Sequence, residues 1–264
     1  MAFLDKSMVK EEPVWGNRLA DRFSAFYYTT QRRKSIVHML FVRTLGLILA
    51  IALCAYVYLK ARDKYGLSFY FRFSHWAFAI IALMYAAGLV SSLVEYISNG
   101  EFVALYASRR LPWYMRVHWI VFNVAVTTNL MLSVMYFLIF NACVFSAVVG
   151  NYSYCCKIFE TPHRIVGSTV YVVSAILVTF ELVLSAIPVR LIDFYQVLMY
   201  NIVYSLVLNV FQNYTQTNIY NFNCNDKEAL LTVLTCLILC FAMYVLTYTI
   251  DLIKCACKKY IIKA

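Results

Sequence analysis

Leu47-Ile48-Leu49-Ala50-Ile51-Ala52-Leu53-Cys54-Ala55 contains no polar side chain, and the mainly apolar block around it runs from about residue 38 to 58. A helix needs about 20 such residues to cross the hydrocarbon of a bilayer. A membrane-spanning β-strand would instead alternate apolar and polar residues over about 10 positions. Nothing in this block alternates. In lipid the backbone amides must be satisfied within the segment itself, which leaves a transmembrane helix as the structure for the stretch.

Five further blocks follow. The second span covers 74–96, after a linker carrying Lys60, Arg62, Lys64 and Arg72. The third covers 117–149, longer than a perpendicular helix requires, which predicts tilt or an extension beyond the bilayer. The fourth covers 165–187 and stops at Pro188, which cannot continue the hydrogen-bond ladder. A short fifth span at 194–211 and a sixth at 229–250 complete the set. The expected fold is therefore an all-α polytopic bundle of about six spans, with an N-terminal segment 1–37, a membrane domain 38–250 and a basic tail 251–264.

Composition agrees with this fold. The chain is 63% hydrophobic and 14% charged, with mean hydropathy +0.70, against roughly 45–50% and 25% in an ordinary soluble domain. Residues 1–38 carry acidic and basic side chains and no short apolar core before a small-residue cleavage site, so the first span is expected to act as the anchor. The formal net charge of +10 is scattered along the edges of apolar blocks rather than gathered on one face. It therefore points to topology, not to nucleic acid.

Cytosolic loops carry the excess of Lys and Arg. Fifteen of these residues fall in the N-terminal segment, the second loop (Arg109, Arg110, Arg116), the fourth loop (Arg190) and the tail, against seven on the other side, with Arg43 inside the first span. Both termini are thus expected in the cytosol. The N-x-[ST] sequons at Asn151 and Asn213 then lie in exoplasmic loops as glycosylation candidates. Cys155, Cys156 and Cys224 share that side, where a disulfide or free thiols are both open. Cys54, Cys143, Cys236 and Cys240 read as packing residues in spans. Cys255 and Cys257 beside Lys254, Lys258 and Lys259 read either as palmitoylation sites over a basic patch or as a solvated tail.

Arg43, Glu95 and Glu181 lie in or near the cytosolic halves of spans one, two and four, where an isolated charge is costly. A buried ion pair is the expected solution, a proton or ion pathway the alternative. At the exoplasmic boundary stand Ser74, His75 and His163. A hydroxyl beside an imidazole can act as a nucleophile with its base. Adjacent helical residues point about 100° apart, so Ser74 with His163 is the catalytic candidate and His75 is not. His38 and His118 lie at the opposite boundary. Ordinary interfacial packing explains the same residues without chemistry. There is no zinc-ligand spacing, P-loop, H-E-x-x-H, G-x-S-x-G or dinucleotide fingerprint, so no metal and no cofactor is expected.

The segment Glu181-Leu182-Val183-Leu184-Ser185-Ala186-Ile187-Pro188-Val189-Arg190, then Phe194-Tyr195, resembles the signature region of the rolling stone family. Phe71-Arg72-Phe73-Ser74-His75-Trp76 resembles that family's entry into span two, and Ile219-Tyr220 its approach to the last span. The resemblance covers about 72–250. It implies a multi-pass protein of the plasma membrane acting in cell fusion or differentiation, as in myoblast fusion. More distantly, the layout is similar to the androgen-induced family of membrane threonine hydrolases, which cleave fatty-acid esters of hydroxy fatty acids. That resemblance implies Ser74 in the place of the threonine nucleophile, with His163 as the histidine.

Three functions follow as expectations. The first is a non-enzymatic membrane protein engaging a membrane protein partner or lipid. The second is a lipid ester hydrolase using Ser74 and His163 on a fatty-acyl ligand. The third is a receptor or transporter, against which stand the even span count and the lack of internal repeats. The bilayer itself is the one partner common to all three, at the plasma membrane or the endoplasmic reticulum.

Overall fold

The structure, a computed structural model, describes residues 23–24, 27, 32–98, 112–149, 164–215 and 227–263. Six long helices dominate it: α1 Arg32–Tyr65, α2 Phe73–Ile97, α3 Trp113–Val149, α4 Arg164–Leu184, α5 Phe194–Thr215 and α6 Lys227–Lys263. Five of them contain a stretch long and apolar enough to cross a membrane, and α4 adds a shorter apolar stretch, Thr169–Leu184. The chain is a polytopic helical bundle of about six spans. Successive helices run up and down, so α1 begins and α6 finishes at the same end, called the terminal end below.

The helix limits follow from local chemistry. Gly66, at φ 53°, lies in the left-handed region where a side chain is disfavoured, and α1 stops there. A 3-10 turn, Gly66–Phe71, then leads through extended Arg72 into α2. At the far end of α4 the chain runs without helix from Ser185 to Arg190, across Pro188, before a 3-10 turn Leu191–Asp193 opens α5. α3 and α6 each hold 37 residues and contain neither Gly nor Pro. Each is therefore about 55 Å long, well beyond the roughly 30 Å hydrocarbon thickness. Within the expected basic tail at 251–264 the α6 helix continues as far as Lys263.

α3 packs against α2, α4, α5 and α6, while α1 packs against α2 and α4. Lipid tails are as apolar as leucine, so close backbone approach and polar ties hold such helices together more than burial does. Gly46 of α1 provides one such approach, with the Tyr85 ring of α2 filling the place a side chain would take. That ring is anchored by its hydroxyl, which donates to the Leu177 carbonyl at 2.7 Å. Outward, Phe41 and Leu59 on α1, Leu206 and Val210 on α5, and Ile238 and Phe241 on α6 are exposed. These are the faces the lipid solvates.

Candidate functional site

At the end opposite the termini, Ser74 occupies the first turn of α2 and is half-buried. His75 is engaged with the preceding turn: its Nδ1 lies 2.6 Å from the Phe69 carbonyl and its ring sits on Phe69 at 3.9 Å between centroids. A carbonyl only accepts, so Nδ1 carries the proton. Trp76 Nε1 donates to the Tyr70 carbonyl at 2.6 Å, and Tyr204 of α5 donates to the Phe71 carbonyl at 2.8 Å. These ties fix the approach to Ser74. His163 lies outside the described residues, as do Asn151, Cys155, Cys156 and Cys224. The described α4 helix starts at the next residue, Arg164, and the rings of Phe78 on α2 and Tyr171 on α4 stand 5.7 Å apart. α2 and α4 therefore touch one turn inward from Ser74.

The terminal end holds a heavily bonded polar group. Arg43 is fully buried; its Nε and Nη2 donate to Glu181 Oε1 at 3.0 and 2.9 Å. Its Nη1 reaches the Phe23 and Gly88 carbonyls at 2.8 Å each and Ser92 Oγ at 2.6 Å. One guanidinium thus joins α1, α2, α4 and the segment before α1. A planar fork of five N–H donors suits this role, and a lysine could not make it. Glu95 is buried on α2, one turn beyond Ser91 and Ser92. His118 of α3 is fully buried, with neither ring nitrogen hydrogen-bonded among the described residues. Gly88 admits the side chains of both Arg43 and His118, since a Cβ there would stand 2.9 Å from Arg43 Nε and from His118 Nε2.

A second tie closes the same end. Lys254 of α6 pairs with Asp251 at 2.7 Å and donates to the Leu182 and Ser185 carbonyls at 3.1 and 3.0 Å. Those carbonyls belong to the last turn of α4 and to the residue just past it, where backbone acceptors lack helical partners. The Lys254 ammonium also lies 4.9 Å from the Tyr27 ring, and Tyr27 N–H donates to the Leu184 carbonyl at 2.9 Å. Val189 N–H reaches Asp251 Oδ2 at 3.2 Å, Trp119 Nε1 the Pro188 carbonyl at 3.1 Å, and Tyr244 the Arg190 carbonyl at 2.6 Å. Lys254→Met should leave two buried carbonyls unmet, a cost of about 1–3 kcal/mol. The expected readout is faster proteolytic cleavage near Tyr27; an unchanged cleavage rate would contradict the tie.

Other candidates are placed as follows. Asn213 lies in the last turn of α5, with Nδ2 3.0 Å from Asn209 Oδ1. Cys255 packs against Tyr27 and Ala186, while Cys257 is exposed. Cys54, Cys236 and Cys240 are free thiols. Among the described residues no group of three or more His, Cys, Asp or Glu side chains could hold a metal. Phe23, Gly88 and Asp251 are contributors to the terminal end that sequence reading missed, while His118 and Lys254 were placed at this boundary without their partners. Several meet through main-chain atoms or across separations of 45 to 72 residues, which leave no spacing signal. No known protein family, curated protein or solved structure matches this chain.

Proposed function

We propose that the chain is a non-enzymatic multi-pass membrane protein of the rolling stone type, acting in cell fusion or differentiation. The observation that supports this is the role of Glu181–Arg190, the segment that carries the resemblance. Within it Glu181 takes Arg43, the Leu182 and Ser185 carbonyls take Lys254, and Leu184 takes the N–H of Tyr27. Pro188, Val189 and Arg190 are tied to Trp119, Asp251 and Tyr244. The resembling residues are thus those on which the bundle is assembled, and a shared architecture is what such a signature would preserve. The bundle then serves as a rigid frame presenting its opposite-end loops and outer surface to a membrane protein partner or lipid.

A hydrolase is the second reading, favoured by the Phe78–Tyr171 contact that brings α2 and α4 together beneath Ser74. One experiment separates the two. Cells expressing the chain are scored for content mixing with unlabelled partner cells, and membranes are treated with a fluorophosphonate probe. Loss of mixing on removal of the chain, with Ser74→Ala fully active and unlabelled membranes, is the expected result. Labelling of the wild type that Ser74→Ala abolishes would replace the proposal with the hydrolase.

A further inference from the structure

Asn201, Ser205, Asn209 and Asn213 recur at every fourth position along α5. Residues so spaced share one helix face. Asn201 is covered there, since its Nδ2 donates to the Val197 carbonyl at 2.9 Å and to Cys240 Sγ of α6 at 3.7 Å. Ser205, Asn209 and Asn213 are exposed. Asn213 Nδ2 donates to Asn209 Oδ1 at 3.0 Å and the Ser205 hydroxyl to the Asn201 carbonyl at 2.8 Å, but among the described residues nothing accepts the Nδ2 hydrogens of Asn209. Asn209 lies about 9 Å inside the far end of α5, too deep for its short side chain to reach headgroup water as a lysine would. The mismatch extends to the whole helix. α3 and α5 are the two least apolar of the five spans, yet α3 is mostly enclosed and α5 mostly exposed. On α3 the polar side chains Asn123, Thr127, Thr128 and Asn129 are buried within the bundle. A lone copy of the chain leaves those of α5 to the lipid that solvates Leu206 and Val210, where polar side chains are costly and ordinarily face a protein neighbour.

We propose that this face of α5 docks a second copy of the chain, forming a two-fold dimer within the membrane through Ser205 and Asn209. Two copies insert with the same topology, so a two-fold axis along the membrane normal sets their α5 helices parallel and brings each residue to its own counterpart. Such a surface must be complementary to itself. A carboxylate or an ammonium would repel its counterpart, whereas an amide carries donor and acceptor together, so the Asn209 side chains of the two copies each donate to the other. Asn209 Oδ1 has a second lone pair for this bond beside the one that takes Asn213. Ser205, one turn away, is small enough to let the backbones approach, and contacts repeating every fourth residue suit a right-handed crossing. An asparagine buried between parallel helices also fixes their register and number. Asn213, in the last turn, is left at the membrane boundary.

The test uses the full chain labelled with donor or acceptor fluorophores, purified in detergent, reconstituted into phosphatidylcholine vesicles and diluted with lipid. Energy transfer should follow a dimerisation isotherm. Asn209→Leu should raise the dissociation constant about tenfold, the effect of losing the reciprocal interhelical hydrogen bonds. Asn209→Gln, which keeps an amide, should lie close to the wild type. Leucine suits a lipid-facing position, so a weaker dimer with an unchanged melting temperature would come from the contact and not from misfolding. Phe41→Leu, on the exposed face of α1, should change nothing. Absence of transfer in the wild type at every dilution, or equal transfer in the wild type and the Asn209→Leu/Ser205→Leu variant, would overturn the proposal. Wild-type association that appears only when a different membrane protein is added would overturn it as well.

Discussion

Glu181→Ala is expected to destabilise the bundle by about 3–5 kcal/mol, the cost of leaving one charge of a buried pair without its partner. Arg43 is fully buried and Glu181 is 1% exposed, so water cannot replace the carboxylate. Arg43 would keep its bonds to Phe23, Gly88 and Ser92, which are neutral acceptors and do not balance its charge. Thermal unfolding in detergent, followed by size exclusion, would report the loss. The double variant Arg43→Met/Glu181→Leu, which removes both charges and retains much of the volume, should recover most of it. A Glu181→Ala protein that melts with the wild type would show that the pair contributes nothing.

Gly46→Ala is the second large effect, expected at about 1–3 kcal/mol, as for overpacking in a filled core. The added methyl would fall within the Tyr85 ring, too close for any real contact, so the ring must move. Its movement would stretch the hydroxyl bond to Leu177 and loosen α2 from α4. Tyr85→Val in the same chain removes the obstruction while sacrificing that bond. Partial recovery of the melting temperature in the double variant is expected. Equal melting of wild type and Gly46→Ala would refute the close approach.

The spans were legible because they are apolar blocks of about bilayer length, and the helices that form contain those blocks except the fourth, where α4 ends at Leu184, three residues short of the expected 187, because the chain turns out of the helix ahead of Pro188. Arg43, Glu95 and Glu181 were legible by depth alone as candidates for a buried pair, opposite charges in the same half of three spans, but which carboxylate meets Arg43 was not. What surrounds them was not. The carbonyls of Phe23 and Gly88 have no side-chain signature, and a glycine in an apolar run gives no sign of the guanidinium it must admit. Lys254 read as part of a basic tail because charge marks a boundary but not a helix end. Its α-helix continues, since nothing in the sequence stops it. The sulfur contact of Met135 with Cys236 was equally hidden, across 101 residues, because both look like ordinary packing residues in an apolar span. For Ser74 the sequence identified a hydroxyl at the boundary, which the structure shows half-buried, and His163 falls outside the described residues.

Arg43 and Glu181 are 138 residues apart in the chain. At ribosomal speeds of about 5–20 residues per second, α1 is made on the order of ten seconds or more before the carboxylate that neutralises it. During that interval the guanidinium has no counter-charge, even after the Gly88 and Ser92 acceptors of α2 are made, and α1 must remain at a polar boundary or in the insertion machinery. The bundle thus closes only when its fourth helix arrives. A chain truncated before Glu181 would present a membrane helix with an uncompensated cation, a mark by which quality control could recognise the unfinished protein.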